Sequence, residues 1–149
     1  PGSREDELGE PFVGRSGNLL DKMMKRVGIN SQKDVYFCNV VKCRPPKNRR
    51  PSKGEIISAL PWLHQQINLV GPYVIALAGS TAVEALLGKK GAISQLRGNW
   101  QNWHGRLVMP IFHPAYLLRN PSTDKNSPMN LTLQDLAKVR KKIYSLTVS

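Results

Sequence analysis

Acidic residues and cysteines are the two things this chain has little of. Ten Asp and Glu stand against 22 Lys and Arg in 149 residues, a formal net charge of +12. That imbalance favours a polyanionic partner, with nucleic acid ahead of an anionic membrane surface. By itself it would also suit a basic structural protein. There are two cysteines, Cys38 and Cys43, close together in an otherwise cysteine-free chain. A disulfide framework is therefore not expected, and a reducing cytoplasm is the default setting. No apolar run approaches the ~20 residues of a membrane span, and no secretory signal opens the chain. What remains is ordinary for a globular protein: 40% apolar and 21% charged residues, enough for one domain over residues 1–149 with a real core.

The chain order shows strands alternating with helices. Residues 1–17 are glycine-rich loop with the acidic cluster Glu5, Asp6 and Glu7. Leu19, Leu20, Met23, Met24 and Val27 recur at helical spacing, and Gly28 suits a C-cap. Val35 to Val41 is a β-branched and aromatic run, read as a buried strand. A proline-rich basic loop follows, from Cys43 to Pro51. Ser52 and Glu55 form a capping-box pattern for a helix that should bend or restart at Pro61 and run to about Leu69. Tyr73 to Ala78 reads as a second buried strand, and Gly79-Ser80-Thr81 as a turn into a short helix ending at Gly88. Trp100 to Phe112 reads as a hairpin about His104-Gly105. Asn130 can cap a last helix whose inner face carries Leu133, Leu136, Val139 and Ile143. This alternation predicts an α/β fold, a three-layer α/β/α sandwich on a mostly parallel central sheet of about four strands. Ligands in such sheets bind beyond the carboxyl ends of the strands. The turn at Pro1, the loop after Asn39, and His113 all fall there. Because Pro1-Gly2 already reads as a turn, the first strand is expected to be missing from this chain.

The most informative stretch is Ile111-Phe112-His113-Pro114-Ala115-Tyr116-Leu117-Leu118-Arg119-Asn120-Pro121. A strand that stops at His-Pro holds an imidazole at a sheet edge, because proline lacks the N–H that would extend the ladder. Two leucines beside an arginine suit a loop that pushes an apolar wedge into something negatively charged. Taken with Pro1-Gly2-Ser3-Arg4-Glu5-Asp6 through Gly9-Glu10-Pro11-Phe12-Val13-Gly14, and with Asn39-Val40-Val41-Lys42-Cys43-Arg44-Pro45-Pro46-Lys47-Asn48-Arg49, it closely resembles the family 4 uracil-DNA glycosylases. These are bacterial and archaeal members of the uracil-glycosylase superfamily that often carry an iron–sulfur cluster.

The resemblance implies a division of labour. His113 would face uracil O2, where glycosidic cleavage deposits negative charge that a fixed donor stabilises. Asn39 would pair with O4 and N3–H of uracil and reject cytosine, which reverses both groups. Phe12 would stack on the flipped base, although an ordinary core aromatic is an equal reading. Gly2 would bring its backbone close to the pocket, where a β-carbon would intrude. Glu5, with Asp6 as competitor, would polarise the attacking water. Leu117, four residues after His113, matches the position that fills the gap left by the flipped nucleotide; Leu118 is either its helper or core. Arg119 would hold a phosphate. Lys42, Arg44, Lys47, Arg49 and Arg50, with Asn48, would form a phosphate track.

Two departures from the family pattern bear on the cofactor. The N-terminal cysteine pair does not occur in these residues, and the cysteine expected sixteen residues after Cys43 is Ala59. Only Cys43 of four [4Fe–4S] ligands is present, so no cluster is expected in this chain. The resemblance thus implies a monomeric, monofunctional glycosylase that flips uracil from DNA and leaves an abasic site. The alternative is a non-catalytic protein that binds uracil-containing or single-stranded DNA with the same pocket.

Overall fold

The computed structural model describes residues 15–36 and 53–148. The segments 1–14 and 37–52 lie outside the described residues. With them go residues 37–41 of the strand expected over Val35 to Val41, the capping serine Ser52, and eight of the anticipated site residues. The two described residues of that strand, Val35 and Tyr36, are irregular, and Tyr36 is exposed rather than buried.

Helix α1 spans Arg15–Arg26. Leu20, Met23 and Met24 are buried on one side, as the i, i+3, i+4 spacing requires. It ends where Gly28 takes φ +92. The Gly28 carbonyl accepts from the Arg140 guanidinium Nε at 3.1 Å, placing a cation at the negative end of the helix. Helix α2 runs over Lys53–Val70 with Pro61 inside it, so of the expected bend or restart a restart does not occur. Proline removes one ladder bond, but Leu63 and Ile67 beyond it are buried against Leu77 and Val83. That burial carries the helix past the break.

Strand β1 (Val74–Ala78) leads through Gly79 into α3 (Ser80–Leu87), which closes at Gly88 with φ 70. Only Leu77 of β1 is buried and Ala76 is exposed, so the strand is less enclosed than its apolar sequence implies. A single-turn α4 (Ile93–Leu96) precedes β2 (Gln101–Trp103) and β3 (Arg106–Ile111). The β2–β3 turn places His104 at φ 48 and Gly105 at φ 79. Positive φ at both central residues is the turn whose twist matches that of the strands it joins. Helix α5 (Pro114–Arg119) follows β3 directly, and α6 (Pro128–Val148) ends the described chain. The last helix starts two residues before the expected cap: Ser127, not Asn130, caps it, its Oγ accepting the Asn130 N–H at 3.2 Å, with Pro128 next to it. Serine followed by proline is the stronger start signal.

Among the described residues the sheet has three strands in the order β1-β3-β2, parallel between β1 and β3 and antiparallel between β2 and β3. The fold is therefore α/β on a mixed sheet. Pro110 sits in the middle strand and is buried. Its carbonyl accepts from Gly98 N–H at 3.0 Å, and the β2 ladder has already stopped at Gln101↔Val108. The missing N–H of Pro110 points to that same side, where no ladder bond is needed. Alternation along β3 divides the core. Met109 and Ile111 pack with α1 and α6 through Leu20, Met23, Met24, Leu136 and Val139. Val108 packs with Leu63, Ile67, Val83 and Leu86 of α2 and α3.

Candidate active site

The parallel pairing brings the carboxyl ends of β1 and β3 side by side, with Ala78 opposite Ile111. One residue later the Gly79 N–H donates to the Ile111 carbonyl at 2.9 Å. Two residues after Ile111 comes His113, with extended backbone (φ −70, ψ 137), as the N-cap of α5. Pro114 at the next position stops the strand and starts the helix. The same dipeptide therefore ends one element and opens the other.

The imidazole is fixed from two sides. Nδ1 of His113 accepts the backbone N–H of Ala115 at 3.0 Å. An Nδ1 lone pair committed to a backbone donor leaves the proton of the neutral ring on Nε2. On the other side lies Gly79 at φ +93, where an added Cβ would come within 3.3 Å of His113 Cβ and 3.6 Å of its Cδ2. Only glycine allows that backbone conformation and that approach without strain. Burial, with the positive charge of Arg119 as a lesser cause, pushes the His113 imidazole down from 6.5 to about 4. At neutral pH the ring is uncharged and is a donor through Nε2. Such a group can stabilise charge appearing on a carbonyl oxygen of a departing base.

Two other anticipated residues lie on α5. Arg119 is exposed in the last turn, within electrostatic reach of His113. Leu117 does not face outward. It is 1% exposed and belongs to the core with Leu20, Met23 and Ile111, because α1 packs against α5. The wedge expected at Leu117 is thus corrected: withdrawing a fully buried leucine would open a cavity in the core. Leu118 is half-buried, and Tyr116 is the large exposed side chain of this helix at 38%. Its ring stacks on that of Phe112, centroids 5.2 Å apart. Gly2, Glu5, Phe12, Asn39, Cys43, Arg44, Asn48 and Arg49 lie outside the described residues. Sequence reasoning missed the role of Gly79; its one signal was a glycine at a strand-to-helix turn.

Among the described residues no group of three or more His, Cys, Asp or Glu is placed to hold a metal ion. None of their helices is long and apolar enough to cross a membrane.

The chain matches the profile of the Uracil DNA glycosylase superfamily over residues 1–137. It is 45% identical over 142 residues to a type-4 uracil-DNA glycosylase of Thermotoga maritima, covering 94% of this chain and 72% of the relative. It is 36% identical over 148 residues to that of Sulfurisphaera tokodaii, covering 94% and 65%. A third, from Saccharolobus solfataricus, is 34% identical over 157 aligned positions, covering 100% and 70%. A profile match across most of the chain and relatives this similar show the family to which this strand-to-helix junction belongs: the chain is a member of the uracil-DNA glycosylase superfamily.

Proposed function

We propose that this protein is a DNA repair hydrolase that cleaves the bond between uracil and deoxyribose and leaves an abasic site. The observation that carries the reading is the neutral His113, fixed at the strand-to-helix junction by Ala115 N–H on Nδ1, which puts the ring proton on Nε2. In the reaction the C1′–N1 bond breaks and its electron pair passes to the base, so that negative charge collects on N1 and O2. His113 donates to O2 and stabilises that charge more in the transition state than in the bound substrate. Water then adds to C1′ and gives its proton to a carboxylate, a role we assign to Glu5, whose charge also favours the cationic sugar. Asn39 reads the uracil edge, Phe12 stacks on the ring, and Gly2 admits the backbone close to it. Arg44, Asn48, Arg49 and Arg119 hold phosphates.

The same reading extends to the architecture. A strand within 37–41 joining the described sheet would give the central sheet its fourth strand, and core clusters on both faces of β3 support helices on either side. We take residues 1–149 as one domain, acting as a cytoplasmic monomer on uracil-containing DNA. The cofactor reading follows from the donor set. A [4Fe–4S] cluster takes four thiolates, and these residues hold two cysteines, of which only Cys43 matches a family ligand position. They do not suffice for a cluster, and no step here depends on one.

A uracil-release assay on an oligonucleotide with a single uracil tests the activity. Release of free uracil with formation of an alkali-labile site supports it. Tight uracil-dependent binding without release would instead establish the non-catalytic binder.

A further inference from the structure

We infer that Tyr116 takes the place of the extruded uridine in the DNA, its ring stacking on the base left uncovered beside the gap. This assignment rests on the glycosylase reading above. Flipping a nucleotide leaves its neighbour with a bare face, and the enzyme must offset that loss of stacking. Leu117 cannot do so from the core, where it is 1% exposed. Tyr116 stands one turn beyond His113, its N–H donating to the His113 carbonyl at 3.0 Å. It therefore lies in the first turn of α5, directly after the cap that carries the catalytic imidazole. It is 38% exposed.

Two neighbours prepare it for a base. Phe112, itself buried, lies under the ring with an interplanar angle of 20°, so the tyrosine rotamer is held before DNA arrives and little ordering remains for binding to impose. Arg119 follows three residues later on the exposed side of the helix. An aromatic ring beside a cation is the pairing that holds a base and its phosphate without regard to sequence, as a glycosylase needs when any base can flank the uracil.

The test compares single-turnover uracil release from one uracil strand, free and in duplex. A fluorescent 2-aminopurine beside the uracil reports whether that neighbour is stacked. Tyr116→Ala should lower the duplex-to-single-strand rate ratio by about tenfold and leave the neighbouring 2-aminopurine bright in the complex. Tyr116→Phe should keep the wild-type ratio and the quenched signal, and Leu118→Ala should keep the ratio. Tyr116→Gln, which retains bulk over Phe112 but no π-face, should match the alanine variant and guards against a folding loss in it. An unchanged ratio in both the alanine and glutamine variants would overturn the assignment, as would a selective loss in Leu118→Ala or a failure of phenylalanine to rescue. Wild-type protein that releases no uracil from either substrate would sink the glycosylase reading; an active wild type with an unaltered ratio in the variants sinks only the role of Tyr116.

Discussion

Replacing His113 by alanine and by asparagine separates its two tasks. The side chain caps α5 through Nδ1 and Ala115 N–H at 3.0 Å, and in the proposed reaction its Nε2–H donates to the base. Alanine removes both functions. Asparagine retains a short oxygen that can accept the same N–H, as it does at many helix starts, but places no donor where Nε2 stood. Losing the cap should cost about 1 kcal/mol, seen as a lower urea midpoint for alanine and little change for asparagine. Losing the donor should slow single-turnover cleavage by about 10²–10³ in both. The pH dependence follows from burial. With the folded imidazole near 4 and the unfolded one near 6.5, the unfolded chain takes up a proton first as pH falls. This contribution is therefore fully present above about 6.5 and is lost as pH drops toward 4, up to about 3 kcal/mol at about 1.4 kcal/mol per pH unit. Both variants should lack that acid loss, and wild-type cleavage should show no inflection near 6.5 that vanishes with His113. An asparagine variant at full rate, or a wild-type rate tracking a histidine of ordinary pKa, would refute a neutral donor at this position.

Other predictions use different parts of the molecule. Arg97 clamps the fully buried Asp135 with bonds of 2.6 and 2.9 Å, so Arg97→Ala should destabilise by about 3–5 kcal/mol by leaving a buried carboxylate unpaired; thermal melting of the single and double variants checks this, and an Asp135→Asn partner should recover part of the loss. Gly79→Ala should lower the cleavage rate about tenfold or more while stability falls less, because its Cβ displaces the imidazole it faces; equal loss of folding and activity would contradict a positioning role. Asn39→Asp should admit cytosine, measured as cytosine release from the matched oligonucleotide, and unchanged base preference would remove Asn39 from base reading. Protein purified without oxygen should show no visible sulfur-to-iron absorption; a band together with stoichiometric iron would overturn the reading of Cys43.

What could be read from the sequence was whatever depends on near neighbours. His104-Gly105 marks a tight turn because few residue pairs tolerate two positive φ angles in succession. The spacing of Leu20, Met23 and Met24 marks α1 because period 3.6 is local. What escaped was set by segments distant in the chain. Gly79 and His113 are 34 positions apart, and only the parallel register Ala78↔Ile111 makes the glycine a wall for the imidazole. Pro61 signalled a break, yet tertiary burial of Leu63 and Ile67 outweighed one lost hydrogen bond.

Leu117 shows the limit most clearly, and also what lies behind it. A motif fixes how many residues separate a leucine from a histidine, and in an irregular loop that count alone leaves the direction of the side chain open. Once His113 is an N-cap, the count becomes an angle, about 100° per residue. Leu117 and Tyr116 then differ by that one step, which turns the leucine toward α1 and the tyrosine to the surface. The cap that holds the imidazole thereby also selects which side chain of α5 is left at the surface. Loss of the cap should shift both at once: in His113→Ala, but not His113→Asn, the duplex-to-single-strand preference should fall along with the rate.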